Sequence, residues 1–231
     1  MADGLRRGGE QVSGAAETLL ADQFWLLAHD EITGRSHIGG HARRLGLAGA
    51  VLAELVLCDR LTVAGGVVQV LDGTDYGEPV TAAVVQVIAG NQAAGRLHPA
   101  RTWVEYLGGR EGARTDDAVT LRLRSNRLVR PLPAAGLRRA PRWVAADQQV
   151  GVRPAAGLSW AITHEQWPGQ QAATLAGLAL ATGLGPMVRA YGDAKVIEDG
   201  LRWLVDRLPA ELAAVVAGVE AGLVASAGAV R

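Results

Sequence analysis

The sequence predicts a mainly α-helical protein: a single compact helical domain that carries β-hairpins. Three observations lead there. Apolar residues recur at helical spacing, as in Ala48, Val51, Leu52 and Leu55 at i, i+3, i+4 and i+7. Two β-rich runs, Leu61–Val63 and Val67–Leu71, flank a turn at Ala64-Gly65-Gly66 and read as a hairpin. Hydrophobic residues make up 49% of the 231, enough for one sizeable core, and no stretch between them marks a domain boundary.

Residues 1–15 are Gly-rich and polar and read as disordered, which leaves 16–231 as the domain. The first helix spans Glu17 to His29, with Leu19, Leu20, Phe24 and Leu27 near helical spacing, and Thr33-Gly34 ends it. The loop Gly34–Gly40 leads into a second helix, His41–Leu57. After the hairpin, Pro79 suits the first turn of a helix that runs through Ile88, and residues 90–98 read as a linker. Arg101–Leu107 predicts a short helix with Trp103 and Leu107 on one face. Asp116–Ser125 predicts another, with Asp116 and Asp117 favourably placed near its N-terminus.

Leu128-Val129 opens a strand, and the Pro- and Arg-rich stretch Pro131–Gly157 reads as a long irregular hairpin or loop. The remainder is helical: Ala172–Thr182, Ala194–Leu208 and Pro209–Ala227, with breaks at Gly183, Gly185 and Pro186. One internal echo stands out. Asp59-Arg60-Leu61-Thr62 and Asn126-Arg127-Leu128-Val129 each follow a helix and each open a strand. Winged-helix modules are built the same way, so nucleic-acid binding is the alternative function to weigh.

Charged residues are a fifth of the chain and sum to a net charge of zero, which excludes a chain that is basic overall but leaves room for a local patch. Lys195 is the only lysine, as in a genome that favours Arg, Ala and Gly codons, so single arginines carry little meaning and only clusters count. The lone cysteine, Cys58, permits no intrachain disulfide and, within an apolar helical run, reads as a buried structural thiol. No basic patch followed by an apolar core begins the chain, so no signal peptide is expected. Leu212–Val230 is the most apolar stretch, but Glu220 near its middle favours a packed core helix over a membrane span.

Motifs for chemistry are missing. No phosphate loop surrounds Lys195, and Gly34-Arg35-Ser36-His37-Ile38-Gly39 has the wrong spacing for a nucleophile elbow. His37 and His41 lie four apart, but a zinc site needs a third ligand, so no metal is expected there. His29, His98 and His164 are isolated. Asp30-Glu31 and Asp116-Asp117 are adjacent rather than facing, which suits capping and solvation. The sequence therefore predicts no enzyme and no cofactor. Glu54 interrupts an apolar run; it lies either on a solvated stripe or buried with an arginine such as Arg60.

The clearest signal is a charge cluster. Arg122, Arg124, Arg127, Arg130, Arg138, Arg139 and Arg142 share one segment without an acidic residue among them, interleaved with Leu137, Trp143 and Val144. Arginines beside a tryptophan suit a membrane interface, where guanidinium meets lipid phosphate and indole settles at headgroup depth. The same list suits a nucleic-acid backbone, or a solvated hairpin with Trp143 folded onto the core. Arg35, His37, His41, Arg43 and Arg44 form a second basic group at a helix N-terminus, a geometry suited to anions.

Several segments resemble the Golgi phosphoprotein 3 family. They are Leu26-Leu27-Ala28-His29-Asp30, Thr33-Gly34-Arg35-Ser36, Leu47 to Leu57, and Arg60-Leu61-Thr62-Val63. Tyr76-Gly77-Glu78-Pro79-Val80, the Trp103 helix, Asn126-Arg127-Leu128-Val129 and Ala173 to Leu184 follow in the family's order. The Arg- and Ala-rich style is similar to actinobacterial members. The resemblance implies a non-catalytic protein of the cytoplasm, peripheral at the inner face of the cell membrane. It further implies binding of anionic headgroups of the phosphatidylinositol 4-phosphate type, with cytoplasmic tails of membrane proteins as further partners; a homo-oligomer is compatible with it.

The family's projecting hydrophobic hairpin falls on Leu128–Val144, with Arg138, Arg139, Arg142 and Trp143 as membrane contacts. By the resemblance, the family's loop tryptophan falls on Gly39, the arginine of its next helix on Ala48 and its later pair of arginines near Ala113 and Asp116, none of which matches. Arg43, Arg44 and Arg114 lie nearby and are the expected replacements at the headgroup.

Overall fold

The structure, a computed structural model, describes residues 18–73, 78–109, 112–132 and 142–228. The expected disordered segment 1–15 lies outside them. In chain order the elements are α1 (Leu20–Ala28), α2 (Gly40–Leu57), β1 (Leu61–Ala64), β2 (Val67–Val70), α3 (Pro79–Ala93), β3 (His98–Pro99), α4 (Ala100–Gly108) and α5 (Gly112–Ser125). Then come β4 (Val129–Leu132), β5 (Arg142–Ala145), α6 (Gln148–Thr163), α7 (Gln170–Thr182), α8 (Gly185–Arg189), α9 (Ala194–Val205) and α10 (Ala210–Gly228). The mainly helical domain with β-hairpins is thus what the chain forms.

The hub is α2, whose residues Leu45 to Val56 are all buried. A helix buried on every side must be surrounded, and α1, α4, α5, α7 and α10 pack around it. Two glycines permit the closest approaches. A Cβ on Gly46 would stand 2.1 Å from Phe24 Cζ of α1, and one on Gly49 would stand 2.4 Å from Val219 Cγ2 of α10. α10 contributes Leu212, Val215, Val216 and Val219 to the core, so the most apolar stretch is a packed helix, as its composition predicts. No single helix among the described residues is long and apolar enough to cross a membrane.

The sheets are small. β1 and β2 pair antiparallel, Leu61 opposite Val70, across Gly65 and Gly66 at φ +58° and +81°. β3 adds two residues to the β2 edge, and β4 pairs antiparallel with β5, Val129 opposite Ala145. The echo noted in the sequence is real in the backbone. Asp59 and Arg127 both adopt left-handed φ, +55° and +56°. Beyond them Arg60 N–H donates to Leu55 O and Leu128 N–H to Leu123 O, closing α2 and α5 with the same i to i−5 bond.

Several expectations need correcting. The helix that starts at Pro79 does not stop at Ile88 but runs to Ala93, into the expected linker. The stretch Pro131–Gly157, read as a long irregular hairpin or loop, holds part of the β4–β5 hairpin and then the first part of α6, which was not foreseen. Asp147 caps it by accepting from Val150 N–H at 2.9 Å, and Ala155, Leu158, Ala161 and Ile162 form its buried stripe despite Pro154 inside it. The short α8 was not foreseen. Cys58 is exposed, because it caps α2 where the chain turns outward.

Candidate functional site

The first turn of α2 has no side-chain cap: Gly39 precedes it, and the first helical bond is Arg43 N–H to Gly39 O at 3.0 Å. Leading N–H groups without side-chain partners and the positive end of an 18-residue helix favour an anion here. Arg35, His37 and His41 are exposed around this turn. Arg44 donates through Nε to Gly108 O at 3.2 Å, and its Nη1 would stand 3.5 Å from a Cβ on Gly40, so its guanidinium folds over the first turn. Arg43 forms an ion pair with Asp116 of α5 at 2.6 Å, and the exposed Arg114 stands on the same α5 start.

The structure therefore brings Arg43, Arg44 and Arg114 to one place, where α2 begins, α4 ends and α5 begins. It also qualifies Arg43, whose charge is shared with Asp116. Among the family positions, Ala48 is wholly buried two turns into α2.

The hairpin joins this surface through Gly34. At φ +60°, a Cβ there would fall 2.6 Å from Trp143 O, so the loop after α1 lies directly on the backbone of β5. His29 and Ser36 pair in a short bridge across the same loop. The base of the hairpin and the basic loop into α2 are thus neighbours. Trp143 pairs opposite Pro131 and is half-buried against the core, with the Arg124 guanidinium 4.3 Å above its ring. Arg142 is half-buried opposite Leu132. Trp143 thus stands in the paired part of β5, with its ring partly exposed. Arg138 and Arg139 lie outside the described residues.

Arg122 does not belong to the surface cluster at all. Its side chain is buried and gathers three carboxylates: Asp22 of α1 at 2.9 Å, Glu54 of α2 at 3.1 Å and Glu78 at the start of α3 at 3.4 Å. Glu54 is buried, as one of the two readings required, but its partner is Arg122. Arg60 instead pairs with Asp72 at 3.3 Å. Burial pushes the Asp22 and Glu54 carboxyls up, against the pull of Arg122. Burial alone would weaken the Arg122 charge, but Glu54 and Asp22 hold its pKa above the usual arginine value. Asp22 carried no motif. The signal that could have found it is a lone carboxylate on the apolar face of α1, one helical turn before Leu26.

His29 stacks on Trp25 with ring centroids 3.8 Å apart, and its Nδ1 lies 2.7 Å from Trp25 O. Burial pushes its pKa down to about 4, so the ring is neutral near pH 7. Among the described residues, no three His, Cys, Asp or Glu side chains converge as a metal set.

No curated protein matches the chain. A family model described as Golgi phosphoprotein 3 (GPP34) matches residues 20–222, from the first residue of α1 into α10. That match covers every element that meets at the basic surface, and on it the chain belongs to the Golgi phosphoprotein 3 family, as an adaptor of that general kind.

Proposed function

We propose that this protein is a non-enzymatic peripheral adaptor that docks on an anionic membrane surface. Arg44 and Arg114, with Arg43, meet lipid phosphates, and the β4–β5 hairpin lies against the bilayer. The observation that carries the reading is the contact at Gly34, which sets the hairpin base beside the basic, uncapped start of α2. One face can then engage phosphates and the interface together. On this reading the headgroups are of the phosphatidylinositol 4-phosphate type, cytoplasmic tails of membrane proteins are further partners, and the protein sits at the cytoplasmic face of the cell membrane. Buried Ala48 favours general anionic attraction over a pocket dedicated to that lipid. A nucleic-acid reading would require α2 to enter a groove, and its burial from Leu45 to Val56 opposes that.

Vesicle co-sedimentation tests the reading, with neutral lipid, neutral lipid plus phosphatidylglycerol, and neutral lipid plus phosphatidylinositol 4-phosphate, each at low and high salt. Binding to both anionic mixtures, weakened by salt, is expected. Each basic residue near the surface is worth about 1 kcal/mol, so Arg44→Ala and Arg114→Ala should each weaken binding roughly fivefold. Unchanged binding by the double variant would remove these residues from the site.

A further inference from the structure

We propose that the cleft between α1, α6 and the start of α7 binds a free fatty acid of short chain, with its carboxylate at Arg153 and its alkyl chain inside. This goes beyond the membrane reading and does not depend on it. The cleft holds about 250 Å³ and is walled by Leu26, Leu128, Leu158 and Leu175. It opens to solvent at Arg153 and Gly157, which line it and are both exposed. Pockets for drug-sized ligands begin at about 300 Å³, so the occupant here is smaller, a chain of a few carbons. Gly157 keeps the mouth clear: a Cβ there would meet nothing within 4 Å.

Charge selects the polar end of the ligand. Arg153 is the one charged residue in the lining, and it has no ion pair among the described residues. The neighbouring amide donors are already used. Gln23 Nε2 donates to Thr18 O at 3.1 Å, and Gln171 Nε2 donates to the same oxygen at 2.8 Å. The start of α7 adds to the preference for an anion. Pro168 and Ala172 line the cleft, and Gly169 before the helix brings no side chain to cap its leading N–H groups.

An entering molecule therefore meets one free cation, no carboxylate in the lining and four leucines. A carboxylate accepts paired N–H bonds from a guanidinium and matches its single charge. The leucines take the chain out of water. An amine of the same length would carry the wrong charge, and an alcohol would carry none.

The test is a methyl-resolved NMR titration of the whole protein with sodium hexanoate at neutral pH, with propionate and 1-hexanol as controls. Saturable shifts are expected at the methyls of Leu26, Leu158 and Leu175. Affinity should rise about fourfold for each methylene added from propionate to hexanoate. Hexanoate should bind about fivefold tighter than 1-hexanol, the size of an ion pair open to solvent. Arg153→Gln should remove that preference and leave hexanol binding as in the wild type. Gly157→Leu places its side chain in the open mouth and should abolish the shifts, with an unfolding midpoint no lower than that of the wild type. Equal binding of hexanol would mean an apolar hole only, and equal binding of propionate would mean surface charge only. Either result overturns the proposal, as does wild-type affinity in both variants or the absence of saturable shifts at these methyls.

Discussion

Arg122 and Arg43 stand about as far apart chemically as two arginines in one protein can. Arg122 is buried among the carboxylates of three helices, whereas Arg43 meets one carboxylate at a half-exposed rim where α2 begins. Inside, water cannot replace a lost partner, so removal of the cation strands the anions. At the rim, solvent and salt screen the pair, and the side chain can exchange one partner for another. The difference is one of role: the inner arginine fixes how α1, α2, α3 and α5 meet, whereas the outer one ties the start of α2 to the start of α5 at the surface.

The sharpest way to break that contrast is Arg122→Ala. It should cost about 3–5 kcal/mol by denaturant unfolding, since Asp22 and Glu54 stay buried without their cation. A loss below about 1 kcal/mol would put Arg122 in the same class as Arg43.

Acid provides the next largest effect, through the buried ring of His29. Its pKa falls from 6.5 to about 4 on folding. The stability linked to the neutral ring is complete above the unfolded value and is lost as pH falls from about 6.5 through about 4, on the order of 3 kcal/mol in all. His29→Gln should flatten this part of the stability–pH curve. The raised Asp22 and Glu54 carboxyls act with the opposite sign, losing their stabilising contribution as pH rises, so Asp22→Asn should steepen the acid limb.

Gly46→Ala probes the same interior without any charge. Phe24 must move, and overpacking of this kind costs about 1–3 kcal/mol in thermal or chemical unfolding. Smallest of all, Arg43→Ala should change stability by no more than about 1 kcal/mol, because its pair with Asp116 is partly solvated. A larger loss would mean that the rim pair is a structural joint rather than a displaceable contact.

Periodicity made most of the helices legible in advance. It worked for α2 and α10 because apolar residues dominate them and no proline interrupts. It failed for α6, where Gly151, Arg153, Pro154 and Gly157 hide a buried stripe that only becomes clear once Asp147 is recognised as a cap. Charge was harder to read. A run of arginines looks alike in sequence whether it faces solvent or not, and Arg122 faces inward because helical geometry turns it toward Asp22 and Glu54. Neither partner is near it in the chain. The basic start of α2 was legible because local spacing defines it, whereas the buried charge cluster around Arg122 is assembled from four separate helices.

The seam between α2 and α10 bears on how the protein is made. Val219 seats against Gly49 at a distance no larger residue would allow, so the surface of α2 that faces α10 stays uncovered until that late helix leaves the ribosome. Through most of synthesis the nascent chain holds its central helix, buried from Leu45 to Val56 in the finished fold, without its final neighbour. Completion of the core then depends on contacts distant in sequence, which form slowly. Stalled or truncated chains that lack α10 should therefore be substrates for chaperones and proteases rather than smaller folded versions of the protein.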